Sequence, residues 1–347
     1  MLSEEQKKEY YRMSFEAKKN DEKKYDTPEN MKKYNWGTTD GWVKYENNPV
    51  LGGDLGTCFD MSVLKENGIF KMWFSYRVKQ GIGYTESPDG LHWSEPSVVL
   101  KALPDSPWEG DEVNRPVVVY ANGKYRMWYT GQMIPALKEG GSTIGYVESD
   151  DGINWTRKLT DPVLSTTEPW EEKSLMCPHV NFNEEKNLYE MWYSAGSNLE
   201  PDAIGYASSQ DGIHWIKYDS NPVFTSDPNN IWDSGKVCAC QVIKDKDYYY
   251  MLYLGHYHLQ RGSIGLARSK DGKTNWERHP LNPIIAPDKD TWDAKSVFKP
   301  YAILDGDHWI LWYNGGAWNY NYFDCTLEQI GVAFLYRREL WPDNQEI

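Results

Sequence analysis

The feature that most limits what this chain can fold into is a phrase it repeats along most of its length. Ile-Gly-Tyr at Ile82, Ile144 and Ile204 returns as Ile264-Gly265-Leu266 and Ile330-Gly331-Val332. The first four copies lead into Ser-x-Asp-Gly and then Trp, from Asp89-Gly90 to Trp93, Asp151-Gly152 to Trp155, Asp211-Gly212 to Trp215 and Asp271-Gly272 to Trp276. Asn/Asp-Pro with two apolar residues comes next, as in Asp161-Pro162-Val163-Leu164 and Asn221-Pro222-Val223-Phe224. A unit of about sixty residues that reads as several short strands implies a radial array of small sheets, each burying its neighbour's face.

Within a unit the pattern is β-like. Val63-Leu64, Asn67-Gly68 and Phe70-Lys71-Met72-Trp73-Phe74 read as strand, tight turn and strand. The same hairpin returns before Met127-Trp128-Tyr129, Met191-Trp192-Tyr193, Met251-Leu252-Tyr253 and Leu311-Trp312-Tyr313. Ile-Gly-Tyr is a third strand, and the Asp-Gly turn leads to a fourth, outer one. After Tyr336 the chain offers no further outer strand, but Asp40-Gly41-Trp42 and Asn48-Pro49-Val50-Leu51 supply that phrase at the other terminus. The prediction is an all-β, five-bladed β-propeller of four-stranded antiparallel blades, the last closed by the N-terminal strand so that no edge is exposed. Residues 1–36 form an N-terminal helical extension and residues 37–347 a single catalytic domain. A helix is expected over Ser3–Asn20, with Ser3 and Gln6 as a capping box, and its Tyr10, Tyr11, Met13 and Phe15 as a docking face for the propeller or a second subunit.

A net charge of −14 repels phosphates and so argues against nucleic acid and anionic membranes as partners. No apolar run approaches the roughly 20 residues that span a bilayer. The charged stretch from Met1 to Asp21 lacks the apolar core of a secretory signal, which points to a cytoplasmic protein. The 5 cysteines are an odd number without zinc spacing, so reduced thiols and no metal site are expected. The 17 Trp and 25 Tyr suit wide β cores and sugar stacking alike.

The repeat also separates constant positions from divergent ones. Asp54, Glu109, Glu171, Asp233 and Asp293 share one column, and an acid present in every blade reads as scaffold. The column of Asp60 differs: its equivalents are Arg115, Cys177, Ala239 and Lys299. Two residues on come Ser62, Val117, His179, Gln241 and Tyr301; three residues back come Thr57, Glu112, Ser174, Lys236 and Ser296. Inner strands converge on the axis, so these alternating positions meet around one funnel. Opposite charges at divergent places of a regular ring read as a ligand site.

The Ser-x-Asp-Gly-x-x-Trp turns, the five-fold count and the Gly-x-Tyr-x-Met-Trp-Tyr strands resemble the five-bladed propeller glycosidases, glycoside hydrolase families 43, 32, 68 and 130. The resemblance runs from about Gly41 to Tyr336. It implies a carbohydrate substrate and carboxylates grouped at the axis, one attacking and one protonating the glycosidic bond. Asp60, in Phe59-Asp60-Met61-Ser62-Val63, is similar to the first-blade Asp of families 43 and 32, which implies a base or nucleophile. Asn114-Arg115-Pro116 and Met176-Cys177-Pro178 resemble the family's next two motifs, with Arg115 and Met176 where carboxylates are expected. Glu112 or His179 would then supply the acid. The cations Arg115, Lys299 and Lys236, with His179, suit a second reading in the manner of family 130, phosphorolysis with phosphate held by those groups. A non-catalytic sugar-binding propeller is a third. Substrate contacts are expected from Gln241, Tyr301, His256 and an aromatic run at Trp318, Tyr320, Tyr322 and Phe323. No cofactor is expected beyond a structural Ca²⁺ in the channel, for which no motif stands.

Overall fold

The computed structural model describes residues 3–133, 141–197, 200–258, 261–318 and 326–342. Five inner strands, Cys58–Glu66, Glu112–Ala121, Ser174–Asn183, Lys236–Asp245 and Ser296–Asp305, each pair antiparallel with the strand that follows. Each inner strand packs against the next, and the last packs against the first, which closes the ring. Ile-Gly-Tyr lies on the third strand of every sheet. The N-terminal segment Trp42–Lys44 pairs with Ala333–Leu335 as the outer strand of blade five. Among the described residues no helix is long and apolar enough to cross a membrane.

Two constant columns turn out to be one joint. Trp73 Nε1 donates to the Gly152 carbonyl (2.7 Å), Trp128 to Gly212 (2.8 Å), Trp192 to Gly272 (2.8 Å) and Trp312 to Gly90 (2.9 Å). The second-strand Trp of one blade is thus held by the Asp-Gly turn of the next. Gly is required there twice over: φ is near +77° at Gly90, and a Cβ would sit 2.8 Å from Trp312. The Ser supports the turn by accepting from the Gly N–H, as Ser87 does from Gly90 at 2.8 Å. Blade four has Leu252 in place of the Trp, and it faces blade five, whose outer strand comes from the N-terminus.

The repeated acids are scaffold in four blades. Glu109, Glu171, Asp233 and Asp293 are buried, and each accepts from a second-strand Tyr (Tyr129, Tyr193, Tyr253, Tyr313) and pairs with Arg157, Lys217, Arg278 or Lys44 at 2.6–2.9 Å. Asp54 is the exception. Blade one carries Phe74 where the others have Tyr, and Asp54 is exposed in a short 3-10 turn rather than sharing this role.

The first helix runs Glu4–Tyr25, five residues beyond the expected end, because nothing in Asp21–Tyr25 breaks it. A short second helix, Pro28–Lys33, starts on a Thr27 cap. Their junction docks on blade four of the same chain: Asp26 accepts from His258 Nε2 and Arg261 at 2.7 Å each, and Asn30 donates to Tyr257. The side chains of Tyr10, Tyr11 and Phe15 lie outside the described residues, and Met13 is exposed.

Candidate active site

Every inner strand carries a β-bulge at the divergent column. Asp60 (φ 47°), Arg115 (54°), Cys177 (50°) and Ala239 (47°) are left-handed there, a conformation that costs a non-glycine residue about 1–3 kcal/mol. The preceding blade holds each one by its N–H. Asp60 N donates to Asn314 Oδ1 (3.2 Å), Arg115 N to Ser75 Oγ (2.7 Å), Cys177 N to Thr130 Oγ1 (3.2 Å) and Ala239 N to Ser194 Oγ (2.8 Å). Lys299, the fifth member, follows a blade with Leu254 at that place, and it is not left-handed. The bulges bring Asp60, Arg115 and Cys177 together, with Ala239 packed in the same cluster as Cys177, the geometry by which bulges re-aim residues beside active sites.

Asp60 is the one carboxylate of this column, and it is buried. Arg115 Nε lies 3.2 Å from its Oδ2, and the Cys177 thiol points at the same oxygen from 3.9 Å. Burial pushes the Cys177 pKa up to about 12 despite nearby Arg115, so the thiol stays protonated and donates. Arg115 also donates from Nη1 to Asn114 Oδ1 at 2.8 Å. Burial disfavours its charge, but Cys177, Asp60 and Glu200 outweigh this and hold its pKa above the usual value. The Phe59 ring lies under both Arg77 (4.4 Å) and Arg115 (5.4 Å). Glu112 is buried with Arg77 Nε at 3.5 Å from its Oε1. Lys299 is 2% exposed, and its Nζ has no hydrogen-bond partner among the described residues.

The column two residues on has a different task. Gln241 donates to the Ala302 carbonyl (3.0 Å) and accepts from its N–H (2.6 Å), Ser62 accepts from Val118 N (3.0 Å), and His179 Nε2 meets the Val242 carbonyl (2.9 Å). The Tyr301 hydroxyl faces Ser62 and the Val63 backbone. Each polar member ties its blade to the backbone of the next. Burial, with Lys299 adding to it, pushes the His179 pKa down to about 4, so the imidazole is neutral and engaged near pH 7. A neutral, engaged imidazole is ill suited to the general-acid role expected of His179, and Gln241 and Tyr301 take part in the joints. Lys236 is likewise held, by Asp202 Oδ1 (2.5 Å), the Glu200 carbonyl (2.7 Å) and Ser197 Oγ (3.0 Å). His256 is fully buried beside Glu200 and Cys238. The Trp318 side chain and residues 319–325, with Tyr320, Tyr322 and Phe323, lie outside the described residues.

A cavity of about 940 Å³ opens at the opposite mouth, lined by the hairpin ends and by His179, Gln241 and Tyr301. Of its charged lining residues, Lys65 pairs with Asp305 (2.6 Å) and Glu66 with Lys71 (2.6 Å). The Asp60 mouth, where the charges are buried and grouped, is the better candidate. Sequence reading missed Glu200 there, although the connector Ser197–Asp202 leaves blade three as the other long loops leave theirs.

The sequence profile described as glycosyl hydrolases family 32 N-terminal domain matches residues 62–232 and again 113–284. The chain belongs to the propeller glycosidase superfamily. The two matches are offset by about one blade, the register freedom expected of a repeat. An uncharacterized protein of Mycobacterium tuberculosis is 29% identical over 209 residues, 58% of this chain and 66% of that protein, so the match spans just under two thirds of its length. A beta-1,2-mannobiose phosphorylase of Thermoanaerobacter sp. is 26% identical over 250 residues, 68% of this chain and 74% of the other. A solved family-43 glycoside hydrolase superposes with a TM-score of 0.62 at 19% identity, covering 82% of this chain and 91% of its own. A structure from the family 130 mannoside phosphorylases and hydrolases gives 0.64 at 16%, covering 90% and 97%. Those two likenesses are of fold: this is a glycoside hydrolase-like propeller.

Proposed function

We propose that this propeller cleaves glycosidic bonds of small glycosides or oligosaccharides at the Asp60 mouth of its axis. The observation that carries the reading is Asp60 itself, the single carboxylate of a strained axial column that otherwise holds Arg115, Cys177, Ala239 and Lys299. Bond cleavage at an anomeric carbon needs attack from one side and protonation of the leaving oxygen from the other. Asp60 attacks or activates the nucleophile, and Glu112, on the inner strand of the next blade, supplies the proton. Arg115 orients Asp60 through its 3.2 Å contact.

A second reading, phosphorolysis, is favoured by Lys299 Nζ, a buried donor without a partner among the described residues that suits an anion. The likeness to a mannobiose phosphorylase supports it. Turnover of a panel of aryl glycosides and oligosaccharides, with and without inorganic phosphate, tests both. Phosphate-independent release of sugar supports hydrolysis, phosphate-dependent formation of a sugar phosphate supports phosphorolysis, and tight sugar binding without turnover refutes cleavage.

A further inference from the structure

We propose that Glu200, Cys238 and His256 form a binding site for a divalent transition-metal ion of the zinc class beside the Asp60 mouth. The three come from separate elements: the connector after Gly196, the inner strand Lys236–Asp245 and its partner Tyr248–His258. Their donor atoms lie within 4.8 Å of one another. Coordination bonds of about 2.0–2.3 Å would draw them together by roughly 1 Å, a shift within reach of the half-buried Glu200 side chain.

The observation that points to a ligand is His256. It is 0% exposed, and neither ring nitrogen has a hydrogen-bond partner among the described residues. Buried polar atoms are nearly always satisfied, so an imidazole with both nitrogens open calls for a missing partner. The His258 backbone lies beside the ring, short of a well-formed bond, where it would support a metal-bound imidazole. The donor chemistry selects the ion. One nitrogen, one sulfur and one oxygen suit zinc and its neighbours, whereas calcium takes oxygen alone. The nearby Lys236 does not compete for these donors' side chains, because its Nζ is held by Asp202, Ser197 and the Glu200 carbonyl. Three protein ligands leave a fourth position open.

Cobalt(II) is the probe. The full-length protein, stripped by a chelator and exchanged into clean buffer, is titrated with Co²⁺ and followed by absorbance. The proposal expects saturation at about one equivalent, with a thiolate-to-cobalt band in the near ultraviolet and tetrahedral bands in the visible. Cys238→Ser should lose the near-ultraviolet band, and His256→Gln should weaken binding at least tenfold. Glu200→Gln sits on a connector and gives a reading even where the buried variants fail to fold. No saturable band in the wild type, or bands unchanged in Glu200→Gln and Cys238→Ser, overturns the site and leaves exposed pairs such as Asp211 and His214 as the binders. The readout is independent of turnover, so it stands apart from the glycoside reading.

Discussion

Replacing Asp60 by Asn removes one negative charge and keeps the shape. The lost partner is Arg115, whose Nε lies 3.2 Å from Asp60 Oδ2. Removing one member of a fully buried pair can cost about 3–5 kcal/mol. Here Arg115 keeps Asn114 Oδ1 at 2.8 Å, and its side chain is 14% exposed, so the cost falls to that of one charged hydrogen bond, about 1.5–3 kcal/mol. At about 2.1 cal/mol/K of unfolding entropy per residue, that is a fall of roughly 2–4 °C in a chain of this length. Loss of the attacking or activating carboxylate should lower turnover by about 10²–10⁴ or more. Differential scanning fluorimetry and the rate on the best substrate of the panel measure the two effects, and calorimetry should find sugar affinity within a few-fold of wild type. Activity retained in full would refute Asp60 as the reacting group. A fall of well over ten degrees would show that the carboxylate is scaffold.

Arg115→Lys cannot reproduce a two-pronged contact, so phosphate or uronate binding should weaken by about 1.5–3 kcal/mol while neutral sugars change little. Equal losses for both, with a lower melting point, would leave Arg115 as a brace for Asp60. Ser194→Ala strands the buried N–H of Ala239 and should cost about 1–3 kcal/mol by thermal denaturation, with turnover unchanged because Ala239 carries no reactive group; an unchanged melting point would refute the stapling of bulges. His179 has a folded pKa of about 4 against an ordinary 6.5, so the unfolded chain takes the proton first. Its stabilising effect is present above pH 6.5 and is lost as pH falls toward 4, by about 3 kcal/mol in all. His179→Gln should flatten the pH dependence of stability in that window, and an unchanged slope between wild type and variant would show that the imidazole is free to protonate.

The repeat made the sheets legible because its spacing is local. Strand, turn and strand are each specified within a few residues, and Asn48-Pro49 beyond Asp40-Gly41 marks the closing strand in the same local phrase. The Trp and the Asp-Gly were visible as constants, but that they form one hydrogen bond between neighbouring blades depends on a contact some eighty residues apart in sequence, as between Trp73 and Gly152. The same distance hid the division of labour between the two polar columns. Sequence placed Asp60 and His179 in one funnel. The bulge at Asp60 turns the first column to the axis, while the carbonyl of Val242 captures the imidazole of the second.

What the sequence determined alone is the architecture: a period, an alternation and a terminal fragment that complete five antiparallel hairpin units into a ring, all consequences of local hydrogen bonding and apolar patterning. What only the tertiary structure decided is which polar residues are already satisfied. Gln241, Tyr301 and Lys236 look like ligands in one dimension and are spent on neighbouring backbone or carboxylate in three. Lys299 and His256 look no different in sequence, yet their polar nitrogens are buried without partners among the described residues. The reason is physical. Burial and satisfaction belong to the contacts a side chain makes across blades, and no spacing along the chain encodes whether a donor meets an acceptor there.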